Sequence, residues 1–148
     1  MIRSDLVVDG LPVRVETRVF EPDFMLELCT RVSAASVTPL KLDLLAQRPG
    51  LFAGRCHLPA AAATFRFRPG GRLRIEVECS DERKARELLS EEVQRAFGPL
   101  PSGSMLRYQD GLTRLLMPGG SRGDREVGAA VAVTRLACRH IVIDSGYR

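Results

Sequence analysis

Tryptophan is absent from this chain of 148 residues, and the aromatic share is only 5%. Once a core has taken its rings, few remain for stacking on nucleic-acid bases. Lysine is almost missing as well. Lys41 and Lys84 stand within a total of 22 basic residues, so the positive charge is nearly all guanidinium. Cysteine occurs four times, at Cys29, Cys56, Cys79 and Cys138, never as a CxxC pair. That removes the commonest zinc and redox frameworks. The longest strongly apolar run, near Gly128 to Val133, is far too short to span a bilayer. The first five residues, Met1 to Asp5, hold no apolar signal core. These features predict an intracellular protein with reduced thiols and no membrane partner. No GxxxxGK[ST], GxGxxG or HExxH motif is present, so nucleotide-cradling and metalloprotease signatures are missing too.

What is present fits one ordinary globular domain over residues 1–148, long enough to bury a core without metal or disulfides. Hydrophobic residues make up 45%, and the net charge is +4 with a pI near 9.2. That balance permits nucleic-acid contact without requiring it.

Period-two alternation is the main structural signal. Phe65 and Phe67 alternate with Arg66 and Arg68, and Leu73, Ile75 and Val77 alternate with Arg72, Arg74, Glu76 and Glu78. Arg68 to Gly71 turns one strand into the next. Leu6 to Phe20 reads as a hairpin or as one long strand broken at Asp9-Gly10. Leu40 to Leu44 and Phe52 to Leu58 read as further half-buried strands. Pro22 to Ser33 has Phe24, Leu28 and Val32 at helical spacing, which predicts a helix. Ser33 to Pro39 reads as a loop. Asp81 to Phe97 predicts a second, amphipathic helix, with Ser80 as N-cap and Gly98-Pro99 as its stop. Met105 to Met117 reads as a hairpin turning at Asp110-Gly111. Residues 118–128 are rich in Gly and charge and predict a flexible loop. Val131 to Asp144 reads as a helix or strand, with a strand at His140 to Ile143.

The expected fold class is α+β, a curved antiparallel sheet of at least five strands with two helices on one face and a C-terminal extension over 99–148. From Val13 to Gly98 the expected order is strand, helix, four strands, helix. With Phe52-Ala53-Gly54 opening one strand and Phe67 closing another before Pro69-Gly70-Gly71, this order resembles one repeat of the TATA-box-binding protein, a helix-grip-like layout. The resemblance implies a non-catalytic module of transcription or genome handling. It also implies minor-groove wedges at Phe52 and Phe67. One repeat is evident, so a saddle would need a second copy or a degenerate second half in the tail, and a homo-oligomer is expected.

With helices on one face, alternation places Arg14, Glu16, Arg18, Lys41, Asp43, Arg55, His57, Arg66, Arg68, Arg72, Arg74, Glu76 and Glu78 on the other. The candidate nucleic-acid contacts are Arg14, Arg18, Arg55, Arg66, Arg68, Arg72 and Arg74, the last four clustering about one turn. The same residues equally fit a solvated sheet with Arg–Glu cross-strand pairs. A protein partner, or an assembly role through open sheet edges, is the alternative function.

No constellation joins a nucleophile, a base and an anion site, so no enzyme activity and no cofactor are expected. Cys56-His57 and Cys138-x-His140 offer metal-ligand types. However, neighbours on a strand point to opposite faces, and the thiols fit a core better. Arg122-Gly123-Asp124 marks a loop.

Overall fold

A computed structural model describes residues 2–20, 27–36, 39–49, 57–69, 74–119 and 123–146. For residues 2, 18–20, 27, 28 and 139–146 the description covers the backbone alone. Eight strands form one sheet: β1 Ile2–Val8, β2 Leu11–Phe20, β3 Glu27–Ala35, β4 Asp43–Gln47, β5 Ala63–Phe67, β6 Ile75–Cys79, β7 Met105–Gln109 and β8 Leu112–Pro118. Three helices accompany them: α1 Glu82–Leu88, α2 Glu91–Ala96 and α3 Asp124–Gly146. The strand order is β1-β2-β3-β8-β7-β4-β6-β5, and every neighbouring pair is antiparallel. The α+β class and the antiparallel sheet are as expected from the alternation.

Two hairpins have the shortest possible loops. Asp9 and Gly10 have φ of 52° and 80°, and Asp110 and Gly111 have 47° and 92°. Two adjacent residues at positive φ make the turn whose twist matches a right-handed ladder, and Asp-Gly is the pair that tolerates it.

Alternation decides the two faces. Val15, Val32, Leu115, Leu106, Ala46, Val77 and Phe65 lie in register across seven strands. They belong with the helix residues Leu88, Leu89, Val93, Phe97, Ala130, Val133 and Ala137 to one apolar core. All three helices therefore cover one face, and burial of their large side chains contributes roughly 1.5–3 kcal/mol each. Inside this core Tyr108 is fully buried. Its hydroxyl accepts from the Leu40 amide at 2.8 Å and donates to the Leu40 carbonyl at 3.1 Å.

Several expected elements are corrected. The segment expected as a helix over 22–33 is strand β3 from Glu27, and residues 21–26 lie outside the described set. Strand β3 is laddered on both sides, to β2 and to β8. Those non-local hydrogen bonds outweigh a local helical spacing. Among the described residues the order over 13–98 is thus five strands followed by two helices, with no helix between the first two strands where one was expected to run to Ser33. The expected loop over 33–39 is strand as far as Ala35. The strand expected over 40–44 runs instead from Asp43 to Gln47, although Leu42 and Leu44 are buried in the expected phase.

The helix expected over 81–97 is two helices. Asp81, not Ser80, caps α1 by accepting from the Lys84 amide, while the Ser80 hydroxyl accepts from the Asp43 amide. Ser90 caps α2 by accepting from the Val93 amide, which restarts the chain in a new direction. The strand expected at 140–143 is part of α3, which also takes over the expected loop from Asp124 onward. The strand expected over 52–58 and the turn over 68–71 fall mainly on residues 51–56 and 70–73, outside the described set.

Strands β4 and β5 each lie antiparallel to β6, so they run parallel to one another and need a crossover. The described part of that crossover, residues 57–62, passes over the helix-free face. His57 Nδ1 lies 3.2 Å from both Glu78 carboxylate oxygens, and Leu58, Pro59 and Ala60 share a cleft of about 230 Å³ with Asp43, Arg107 and Gln109. Leu45 points to this face and stands between Arg107 and Glu78 in register. It is nonetheless only 1% exposed.

Candidate functional site

The helix-free face can be read off the ladder. One row across it is Arg3, Glu16, Arg31, Leu116, Met105, Gln47, Glu76 and Arg66. The next is Asp5, Arg14, Ser33, Arg114, Arg107, Leu45, Glu78 and Thr64. The face is charged, as alternation predicted, but the charges are not distributed as expected.

Arg14 is on the open face and bonds Asp5 through Nε at 3.0 Å. That contact, then the Arg3 bond at 3.1 Å, holds the Asp5 carboxyl below the usual carboxylate range. Arg18 lies on β2 opposite Cys29, with its side chain outside the description. Arg66 is exposed opposite Glu76. Arg74 bonds the same Glu76 at 3.4 Å. Arg68 is exposed just beyond β5. Arg55 and Arg72 lie outside the described residues.

Strand order separates Arg14 from Arg66. From β2 to β5 there are six inter-strand steps. At about 4.8 Å each, Arg14 and Arg66 stand roughly 29 Å apart. Of the two expected wedges, Phe52 lies outside the described residues. Phe67 faces the helix side beside Ile75, half-buried, with the Arg86 guanidinium 5.7 Å from its ring centre. It cannot wedge into a groove offered to the opposite face.

A different group of arginines is drawn together at the centre of the open face. Arg107 of β7 stands directly opposite Arg114 of β8. Arg31 of β3 lies diagonal to Arg114, whose own partner in register is Ser33. Arg31 is matched by Glu16, with Nη2 to Oε1 at 2.9 Å and little exposure of either side chain. Arg107 and Arg114 have no hydrogen bond or ion pair to a carboxylate among the described residues. Arg114 is half-buried. Burial first, then the charges of Arg31 and Arg107, hold its guanidinium below its ordinary range. Directly opposed like charges destabilise a ladder, so this pair costs stability that the sheet could recover with a single carboxylate.

Leu112 and Leu116 flank Arg114 on the same strand face, and Met105 and Gln109 flank Arg107. The result is two guanidiniums beside Leu112, Leu116 and Met105 and beside the polar Gln109 and Ser33, with Arg107 also lining the crossover cleft that Asp43 shares. Chemically such a pair suits an anionic group.

The signal for this pair was in the sequence. A two-residue Asp110-Gly111 turn fixes Arg107 opposite Arg114 by counting outward. Alternation alone never brought Arg31 to them, because β8 inserts between β3 and β7.

Among the described residues, no three His, Cys, Asp or Glu side chains gather as metal ligands would. Cys138 is buried, with its thiol 3.5 Å from the Thr113 hydroxyl. No helix among the described residues is long and apolar enough to cross a membrane.

No family model matches the chain, and no curated protein matches it. Among solved structures, the crystal structure of the mycobacterial trehalose monomycolate transport factor A is similar. Its TM-score is 0.59 at 10% identity, over 93% of this chain and 69% of that chain. At that identity the likeness shows the fold alone.

Proposed function

We propose that the chain is a non-catalytic binding module whose helix-free sheet face docks an acidic segment of a protein partner, in an assembly role. The observation that supports this reading is the facing pair Arg107 and Arg114, left without a carboxylate and framed by Leu112, Leu116 and Met105. A carboxylate set among apolar side chains meets both features.

Nucleic acid, with a role in transcription or genome handling, is the rival reading. The basic pair favours it, but the flanks do not. Glu16 lies one row away on one side, and Glu76 and Glu78 lie on the other. A continuous phosphate backbone crossing the face would meet these carboxylates, whereas a short acidic segment need not.

Fluorescence anisotropy decides between them. A labelled peptide of interspersed Glu and Leu, a labelled DNA duplex and a single strand are each titrated at two salt concentrations. The expected result is binding of the peptide, lost in R107E/R114E. DNA binding through these two arginines would instead weaken by about 12-fold between 50 and 200 mM salt, from a slope of roughly 0.9 per phosphate contact. Tight DNA binding with negligible peptide binding overturns the proposal.

A further inference from the structure

Among the described residues, strand β1 is the last strand at its side of the sheet and is paired with β2 alone. Leu6 is 42% exposed and Val7 74%, the two large hydrophobic residues that stand out in solvent among the described residues. Natural edges are usually blunted by proline, a bulge or inward-pointing charge. β1 has no proline, and its register with β2 is unbroken from Ile2 to Val8.

The two-residue turn at Asp9-Gly10 makes Val8 and Leu11 a hydrogen-bonded pair, and the ladder alternates from there. The peptide groups of Ser4 and Leu6 therefore bond β2. Those of Arg3, Asp5 and Val7 point outward, with donors and acceptors available to another strand.

We infer that β1 pairs with β1 of a second copy, antiparallel about a twofold axis at Ser4. Two constraints choose this register. Outward-pointing residues must meet outward-pointing residues, so the axis passes through a residue position and not between two. Charge then chooses among the positions, since an axis at Arg3 or Asp5 would oppose two like charges. With the axis at Ser4, Arg3 of each copy faces Asp5 of the other on the open face, and the backbones of Ile2 and Leu6 come into register. With the axis at Leu6, Asp5 faces Val7 and no charge is matched. Arg3 and Asp5 are both about half exposed and already lie within 3.1 Å of one another along the strand, so only a rotamer change separates the two pairings. The two sheets become one continuous sheet, and their helix-covered faces stay on the same side, because residues of the same parity meet. The Arg107 and Arg114 pairs of the two copies then lie on one shared open face.

The test uses the full chain. Sedimentation analysis across a micromolar concentration range reads the mass, and the wild type is expected to approach twice the chain mass. Arg3→Asp places one carboxylate opposite Asp5 of each partner, and the dimer is expected to weaken at least 10-fold, with an unchanged circular-dichroism spectrum. Ser4→Cys reads the register. Cys at the axis, in a non-hydrogen-bonded pair about 4.5 Å apart at Cα, meets disulfide geometry. Mild oxidation should give a covalent dimer from Ser4→Cys much faster than from Val7→Cys or the wild type. The wild type controls for the native thiols, of which Cys29, Cys79 and Cys138 are buried. A monomer throughout the range overturns the inference. So does equal cross-linking of Ser4→Cys and Val7→Cys. Peptide binding at Arg107 and Arg114 has no bearing on either result.

Discussion

Arg107 and Arg114 face one another across β7 and β8 with no carboxylate paired to either among the described residues. Opposed like charges work against the ladder, whereas opposite charges at the same spacing contribute roughly 0.2–1 kcal/mol. Arg114→Glu should therefore raise folding stability, by somewhat under about 1 kcal/mol, while abolishing binding of the acidic peptide. Urea unfolding and the anisotropy titration check the two halves. A variant that loses stability would show that Arg114 has a structural partner and is not held for a ligand.

Much of the fold was legible where a single local rule governed it. The two Asp-Gly pairs marked both turns, and counting outward from each gives the registers seen. The apolar stripe of Leu88, Leu89, Val93 and Phe97 fixed the helical layer, and all four are buried. Strand β3 was not legible. Phe24, Leu28 and Val32 mimic a helical period, and only pairing with β2 and β8 makes Val32 and Ala34 a core stripe. The same non-local order hid part of the site. Alternation put Arg14 and Arg66 on one face without giving their separation, and strand order sets them far apart while bringing Arg31, Arg107 and Arg114 together.

The two turn glycines should respond differently to alanine. Both sit at positive φ, so both substitutions carry backbone strain. A Cβ on Gly10 would meet nothing within 4 Å, but on Gly111 it would lie 2.5 Å from Pro39 Cβ. Gly10→Ala is expected to cost about 1 kcal/mol, and Gly111→Ala clearly more. Equal losses in chemical denaturation would mean that the Pro39 segment yields freely.

The helical layer holds the sheet through a few large side chains. Phe97 is fully buried at the end of α2, and its amide bonds the Val93 carbonyl at 3.1 Å. Phe97→Ala should cost about 3–5 kcal/mol. Leu89→Asp would place a carboxylate at a position 2% exposed, and it should unfold the domain, since such a charge finds no compensating partner there. Far-ultraviolet circular dichroism and thermal melts read both. A folded Leu89→Asp protein would mean that the helices are dispensable to the sheet.

Buried thiols give the protein a pH dependence on the alkaline side. Burial is the largest cause pushing the Cys79 and Cys138 thiols above their ordinary range. In the unfolded chain each should ionise near about pH 8.5. Between that value and the higher folded one, the folded state holds protons that the unfolded state has released. The stability slope is then negative, approaching about 1.4 kcal/mol per pH unit for each thiol as a limit. This contribution is therefore complete below about pH 8.5 and is lost as pH rises. Urea unfolding at pH 7, 8.5 and 9.5 should show the decline, in a window below that of Tyr108, whose hydroxyl burial also pushes up. Cys79→Ala and Cys138→Ala should each flatten the decline, whatever stability they remove at pH 7. An unchanged slope in both variants would assign the alkaline loss to other groups and show that the thiols reach solvent before the chain unfolds.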